Sequence, residues 1–341
     1  MNTLPVFDGH NDLLLRLWMY HRDAPAEAFF NGIPNGHLDY DRMRSGGFTG
    51  GMFAIFVLPP DRLAQMLPER AKLPYDPLSV MWEQFDILQQ LIDASAGKMR
   101  LCRTGEEIAA CREQGVIAAV AHIEGADALD EQGEGLQAFY QAGVRSIGPF
   151  WNLPNRFGTG ISGSFPGSPD TGPGLTPAGE RLIQQAAESG MIIDASHMNE
   201  KAFWDTARLT TQPLVATHSN AHALCAQPRN LTDEQLRAIR ASKGIVGVNF
   251  GNAFLRADGQ RTSDTPLEVI VQHIDHLIDV AGEEHVALGS DFDGISVPND
   301  LGDVSGLPRL FAALRAAGYD QQTLEKLAWR NWQRIMNQLL R

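Results

Sequence analysis

Residues 4–14 read LPVFDGHNDLL, a short apolar run that turns polar and then enters a leucine-rich stretch with helical spacing. That is a strand passing into a helix, and the turn between them decides the fold. An open, doubly wound sheet carries a glycine-rich phosphate loop after its first strand. GHNDLL, residues 9–14, is not such a loop. Further apolar, β-branched runs lie at about 51–57, 116–122, 144–149, 191–195, 214–217, 245–249 and 286–290. Helical patterns such as PLSVMWEQFDILQQLIDASAG and TPLEVIVQHIDHLIDVAG separate them. Eight strands alternating with helices over 341 residues predict an α/β protein, a (β/α)₈ TIM-type barrel.

No repeat or linker divides the chain, so residues 1–341 are expected to form one domain. Two insertions follow strands, at about 18–50 and 153–177, and both belong over the C-terminal mouth. A composition of 43% hydrophobic and 20% charged residues suits a large globular core. The formal net charge of −13 argues against a nucleic-acid partner. Three sparse cysteines, Cys102, Cys111 and Cys225, have no metal-type spacing and suit a reducing compartment. A first strand starting near residue 4 leaves no room for a signal peptide, and no run of 18 apolar residues occurs. These features predict a cytoplasmic protein with no membrane partner. The oligomeric state stays open, a homodimer included.

The strand ends carry the chemistry. The first offers His10 and Asp12, two residues apart and on one face of an extended chain. Glu124 follows the third run, His197 the fifth, His218 the sixth and Asp291 the eighth. Each has a plain alternative: His218 beside a helix cap, Glu124 a solvated loop acid, Asp291 a turn residue. Five strand ends converging on one barrel mouth with imidazole and carboxylate donors favour metal binding instead. That donor set exceeds the needs of one ion, which predicts a binuclear site with a bridging carboxylate. The five lysines (72, 98, 201, 243 and 326) end no strand, so a carboxylated lysine is excluded and Glu124 is the best-placed bridge. Arg229, eleven positions after His218, stands where a guanidinium could pair with a substrate carboxylate. Of the other histidines, His21 and His37 are expected at the surface and His273 and His276 on the outer side of a helix. His122 is expected to be packed in the barrel, His285 to precede the eighth strand, and His222 to support a ligand.

DGHND, EG at 124–125, LTPAGERLI, IDASH, THSNAHALCAQPRN and GSDFDG occur in that order over nearly the whole chain. Together they resemble the renal (membrane) dipeptidase family of zinc metallopeptidases, in its bacterial form, which implies a barrel of the amidohydrolase-like kind. The resemblance implies two Zn²⁺ ions per chain and hydrolysis of dipeptides with a free C-terminal carboxylate by a metal-bridging hydroxide. It places His10 and Asp12 on one zinc, His197 and His218 on the other, and Glu124 on both. It makes Asp291 the acid that takes the water proton, and Arg229 the holder of the carboxylate. One position departs: Trp151, in GPFWNLPN, stands where mammalian members have a histidine that contacts the scissile carbonyl. The rival readings are an amidohydrolase acting on a cyclic amide or lactone, and a catalytically silent metal-binding barrel.

Overall fold

The computed structural model describes residues 3–72 and 75–341. Eight parallel strands form its centre: β1 Val6–Asn11, β2 Phe48–Phe56, β3 Ile117–Glu124, β4 Val144–Gly148, β5 Ile192–Ile193, β6 Val215–Ala216, β7 Ile245–Val248 and β8 Val286–Leu288. Hydrogen bonds join β1 to β5 in sequence order, and β6 to β8 likewise. Parallel bridges Asp194↔Val215 and Asn11↔Phe292 link the two arcs. The ring is therefore closed, with β8 beside β1. Asp8 strengthens that seam by accepting from both the backbone N–H and the hydroxyl of Ser290, each at 2.7 Å.

Strands covered on both faces carry continuous apolar runs instead of an alternating pattern, which is why all eight were legible. Alternate positions nevertheless do different work. Phe7, Met52, Ala118, Val120, Ile192, Val215, Ile245 and Ala287 pack with Trp332, Ile335 and Met336 of the C-terminal helix Asn331–Leu339. Val6, Ala119, Ala121, Ile123, Val246, Val248, Val286 and Leu288 join the larger cluster with the surrounding helices. The C-terminal helix thus supplies an apolar floor. Trp332 Nε1 donates to Leu288 O at 2.8 Å, and a Cβ on Gly9 would collide with the Trp332 ring and Thr217 O. Glycine at position 9 is what lets this indole approach β1.

Several boundaries differ from the sequence reading. β3 runs through Glu124, so this acid is the last residue of a strand, not part of the loop beyond. A short strand, Met99–Leu101, pairs with the beginning of β3; three residues are too few to give a periodic signal. The first insertion is shorter than 18–50, because helix Leu13–Tyr20 covers its start and β2 its end. Between them lie helices Pro25–Asn31 and Tyr40–Gly46. Within the second insertion, Pro154–Asn155 and Gly158–Thr159 form a small antiparallel pair. Among the described residues no helix is long and apolar enough to cross a membrane.

Candidate metal centre

Following the inner face of each strand beyond the apolar floor leads to polar side chains. Ala118 and Val120 are succeeded by His122 and Glu124, Ile192 by Asp194, Val215 by Thr217, and Ala287 two steps later by Asp291. The barrel is apolar below and polar above, where sites of this fold lie. β1 reaches the site differently from the two-residue alternation expected. Its register with β2 shifts between Asp8 and Asn11, and Asp12 lies beyond the strand as N-cap of helix Leu13–Tyr20.

The structure brings all seven singled-out residues together, and all are buried. Glu124 stands at the centre. Its Oε1 is 2.8 Å from His197 Nε2 and 3.6 Å from His218 Nε2. Its Oε2 lies 3.7 Å from His10 Nε2, which is 3.5 Å from Asp12 Oδ2. Each carboxylate oxygen of Glu124 thus faces a different group of potential ligands. Groups Glu124–His197–His218 and His10–Asp12–Glu124 each place their donor atoms within 4.8 Å of one another.

Hydrogen bonding fixes what the imidazoles present. The Thr217 hydroxyl donates to Asp194 Oδ2 at 2.6 Å, leaving its oxygen to accept from His218 Nδ1 at 2.8 Å. Asn152 Oδ1 lies 2.9 Å from His197 Nδ1 and accepts from it in the assigned amide orientation. With both Nδ1 atoms protonated, both Nε2 atoms carry lone pairs. These two nitrogens are 3.0 Å apart, and a carboxylate oxygen adjoins both. Two imidazole lone pairs and a carboxyl oxygen converge here, with Arg229 NH2 3.3 Å from His197 Nε2, an arrangement that a bound cation would complete. On the other side, both ring nitrogens of His10 and Oδ1 of Asp12 are buried without a hydrogen-bond partner among the described residues. Imidazole nitrogen with carboxylate oxygen is a donor set suited to zinc-like divalent ions. The residues fit a metal.

The charges agree with this geometry. Burial pushes His197 and His218 well below the ordinary imidazole range, so both rings are neutral. For His10, burial opposes the charge but the Glu124 and Asp12 carboxylates outweigh it, raising the group to about 10. Burial raises Glu124 well above its usual value, with Asp12 and Asp291 adding to the effect. Burial, reinforced by Asp12, raises Asp291 to about 7. Asp194 accepts from the N–H and hydroxyl of both Ser196 and Thr217. Burial resists its charge, yet the His122 ring and these donors hold it below the carboxylate range.

Asp291 has φ +60°, and its Oδ2 accepts from Asn249 Nδ2 at 2.8 Å. Arg229 sits across the mouth, its guanidinium 5.4 Å from the Phe254 ring centroid. It donates to the carbonyls of Ser196 and His218, and its NH2 lies 3.3 Å from His197 Nε2, while Nε has no partner among the described residues. A cleft of about 390 Å³ runs over the site, lined by Asp12, Glu124, His197, Arg229 and Asp291, with Phe56 and Trp151 as one wall. The indole of Trp151 is 5.2 Å from the Phe56 ring and 6.4 Å from His197.

Four supporting residues were missed in the sequence: Asn152, Asp194, Thr217 and Asn249. A signal existed for the last three: Asp194 and Thr217 continue the inward alternation one step past Ile192 and Val215, and Asn249 two steps past Ile245, across Gly247. Three histidine readings need correction. His273 is buried, accepting from Ala221 N–H at 3.2 Å and bonding Leu255 O at 2.9 Å, so it faces the loops and not the outside. His37 is half-buried and its Nδ1 accepts from Asp293 N–H at 2.9 Å. His222 bonds Gly167 O at 2.8 Å and so anchors the second insertion, with no contact to a candidate ligand among its hydrogen bonds.

Thr217 offers a direct check of the tautomer argument. Thr217→Val, of the same shape but without the hydroxyl, is expected to weaken divalent-metal affinity by about 10–100-fold, and Thr217→Ser to restore most of it. Competition with a chromogenic chelator measures this. Unchanged affinity in the valine variant would show that the hydroxyl does not orient His218.

A family model described as membrane dipeptidase, peptidase family M19, matches residues 1–340. A Klebsiella pneumoniae protein from the pqqA 5′ region is 68% identical over 264 residues, covering 77% of this chain and 97% of that one. A dipeptidase of Schizosaccharomyces pombe is 33% identical over 315 residues, covering 91% and 74%. A crystal structure of a Rhodobacter sphaeroides metallopeptidase, liganded with a phosphinate mimic of the dipeptide L-Ala-D-Ala, superimposes with a TM-score of 0.94. It is 43% identical and the match covers 99% of this chain and 100% of that one.

Proposed function

Since the chain belongs to the membrane dipeptidase family and is a metallo-dipeptidase, we propose that it is a binuclear zinc enzyme cleaving dipeptides with a free C-terminal carboxylate. The observation that carries the binuclear reading is the division of Glu124 between two groups, Oε1 toward His197 and His218 and Oε2 toward His10 and Asp12. His10 and Asp12 would hold one ion, His197 and His218 the other, and Glu124 both. Bound there, divalent zinc supplies Lewis acidity that makes water nucleophilic near neutral pH and polarises the peptide carbonyl.

The protein's own groups do the rest. Arg229 fixes the substrate carboxylate by charge-assisted hydrogen bonds, which sets the distance from that carboxylate to the scissile bond. Asp291 accepts the proton of the attacking water and returns it to the leaving amine. Asn249 ties down Asp291 Oδ2, so that Oδ1 is the oxygen left for this exchange. Trp151 and Phe56 wall the cleft and keep bulk water from its β4 side. Small L,D-dipeptides belong among the substrates, by similarity to the Rhodobacter relative and its ligand. A cyclic amide or lactone without a carboxylate would give Arg229 nothing to bind, and a silent barrel would have no use for an acid at position 291.

The test is a panel of L,L- and L,D-dipeptides, free and C-terminally amidated, with the zinc-loaded protein. Free dipeptides are expected to turn over and amidated ones poorly; equal rates would remove Arg229 as a carboxylate reader and favour a broader amidohydrolase. Glu124→Gln removes the shared charge and is expected to weaken both ions, whereas His10→Ala is expected to weaken mainly one. Metal analysis of the purified variants decides, and two ions retained in Glu124→Gln would dismiss the bridge.

A further inference from the structure

Both oxygens of Asp194 lead to the same histidine. Oδ1 accepts the Ser196 hydroxyl at 2.6 Å, and Ser196 Oγ in turn accepts the backbone N–H of His218 at 3.0 Å. Oδ2 accepts the Thr217 hydroxyl at 2.6 Å, and Thr217 Oγ lies 2.8 Å from His218 Nδ1. Two relays of one hydroxyl each thus run from the end of β5 to the end of β6, the first to the backbone of His218 and the second to its ring. Asp194, Ser196 and Thr217 are all buried, so bulk water does not compete for either relay.

An ionised carboxylate only accepts, whereas a hydroxyl has one hydrogen to give and lone pairs to spare. Asp194 therefore takes both hydroxyl hydrogens and turns the oxygen lone pairs toward His218. Thr217 alone does not fix that polarity, because a hydroxyl beside an imidazole nitrogen either donates or accepts. Were it to donate, Nδ1 would hold the lone pair. The ring proton would then sit on Nε2, facing Glu124 Oε1 and His197 Nε2 where an ion belongs.

We propose that Asp194 is a positioning residue that sets the direction of the Thr217 hydroxyl and so keeps the Nε2 lone pair of His218 free for a divalent ion. This role rests on the reading of His218 as a metal ligand and adds to it the group that selects the tautomer.

Asp194→Asn reverses the relay without changing its shape. Oδ1 is the oxygen that the backbone N–H groups of Ser196 and Thr217 reach, so the amide oxygen stays there and Nδ2 replaces Oδ2. Nδ2 then donates to Thr217 Oγ. The displaced hydroxyl hydrogen turns to His218 Nδ1, which at 2.8 Å is a closer acceptor than Ser196 Oγ at 3.3 Å, and the ring proton moves to Nε2. Competition with a chromogenic chelator measures Zn²⁺ affinity. Asp194→Asn is expected to weaken it by about 10²–10³-fold, more than Thr217→Val, because a ring held in the wrong tautomer binds worse than a free one. In Asp194→Asn/Thr217→Val no hydroxyl holds the wrong tautomer, and affinity is expected to recover to that of Thr217→Val.

Damage to packing alone would make the second loss add to the first. A double variant that binds no better than Asp194→Asn, or an Asp194→Asn that binds as well as Thr217→Val, would overturn the role and leave His218 a ligand. His218→Ala separates the two readings: unchanged Zn²⁺ affinity there would remove His218 as a ligand and the relay with it. Should Asp194→Asn not fold, nitrogen NMR of the metal-free wild type decides, with His218→Ala identifying the signals. A proton on Nδ1 of His218 is expected, and a proton on Nε2 would overturn the relay.

Discussion

Asp291→Asn is expected to lower kcat by about 10²–10⁴-fold, the usual contribution of a positioned proton-transfer group, while metal content stays near that of the wild type. Asparagine is the informative replacement because it tolerates the left-handed backbone at φ +60°. Its carbonyl oxygen can keep the bond from Asn249 Nδ2 that Asp291 Oδ2 now accepts. The change then reduces to the loss of one ionisable oxygen on the cleft side. That oxygen is well suited to the exchange, since burial and the nearby Asp12 raise the carboxyl to about 7, where it both takes and gives a proton readily. Steady-state kinetics with parallel metal analysis decides the matter. Normal turnover would assign the proton to another group, and loss of metal would make Asp291 a ligand.

Arg229→Met is expected to reduce kcat/KM for free dipeptides by about 10²–10³-fold. Removing one partner of a buried ion pair costs roughly 3–5 kcal/mol, and the loss should be somewhat smaller here because the mouth is partly wet. A contact already formed with bound substrate should be felt mainly in KM. The guanidinium also donates to Ser196 O and His218 O, so the loop carrying His218 will loosen to some extent. The comparison that isolates carboxylate recognition is therefore the ratio of free to amidated dipeptide within one preparation. That ratio is expected to be large in the wild type and to shrink in the variant. A ratio unaffected by the substitution would mean that another group reads the carboxylate.

The barrel was legible because burial on both faces writes each parallel strand as an apolar run, even where, as at Ile192–Ile193 and Val215–Ala216, only two residues are regular. The candidate ligands were legible because each stands at or just beyond such a run. Asp194, Thr217 and Asn249 were harder to see: one polar residue after an apolar run reads as the end of a strand, although its side chain continues the inner face. His273 sits on an amphipathic helix, and nothing local shows that its ring caps Ala221 N–H some fifty residues away. Asp293 and His37 meet across 256 residues. No local pattern encodes a contact of that span, which is why His37 reads as a surface residue in the sequence.

The seam between β8 and β1, with the indole of Trp332 beneath it, has a consequence for biosynthesis. Asp8 meets Ser290, Asn11 meets Phe292, and Gly9 meets Trp332. Residues 8–11 thus wait for partners synthesised some 282 positions later. Contacts of such sequence separation form slowly, and until they form the apolar interior is open to solvent and to other nascent chains. His10 and Asp12 precede every other candidate ligand in the chain, but the strand that carries them finds its second neighbour only when residues 290–292 join it. Any ion held between His10, Asp12 and Glu124 is therefore expected to be captured late in folding, once β8 has closed on β1.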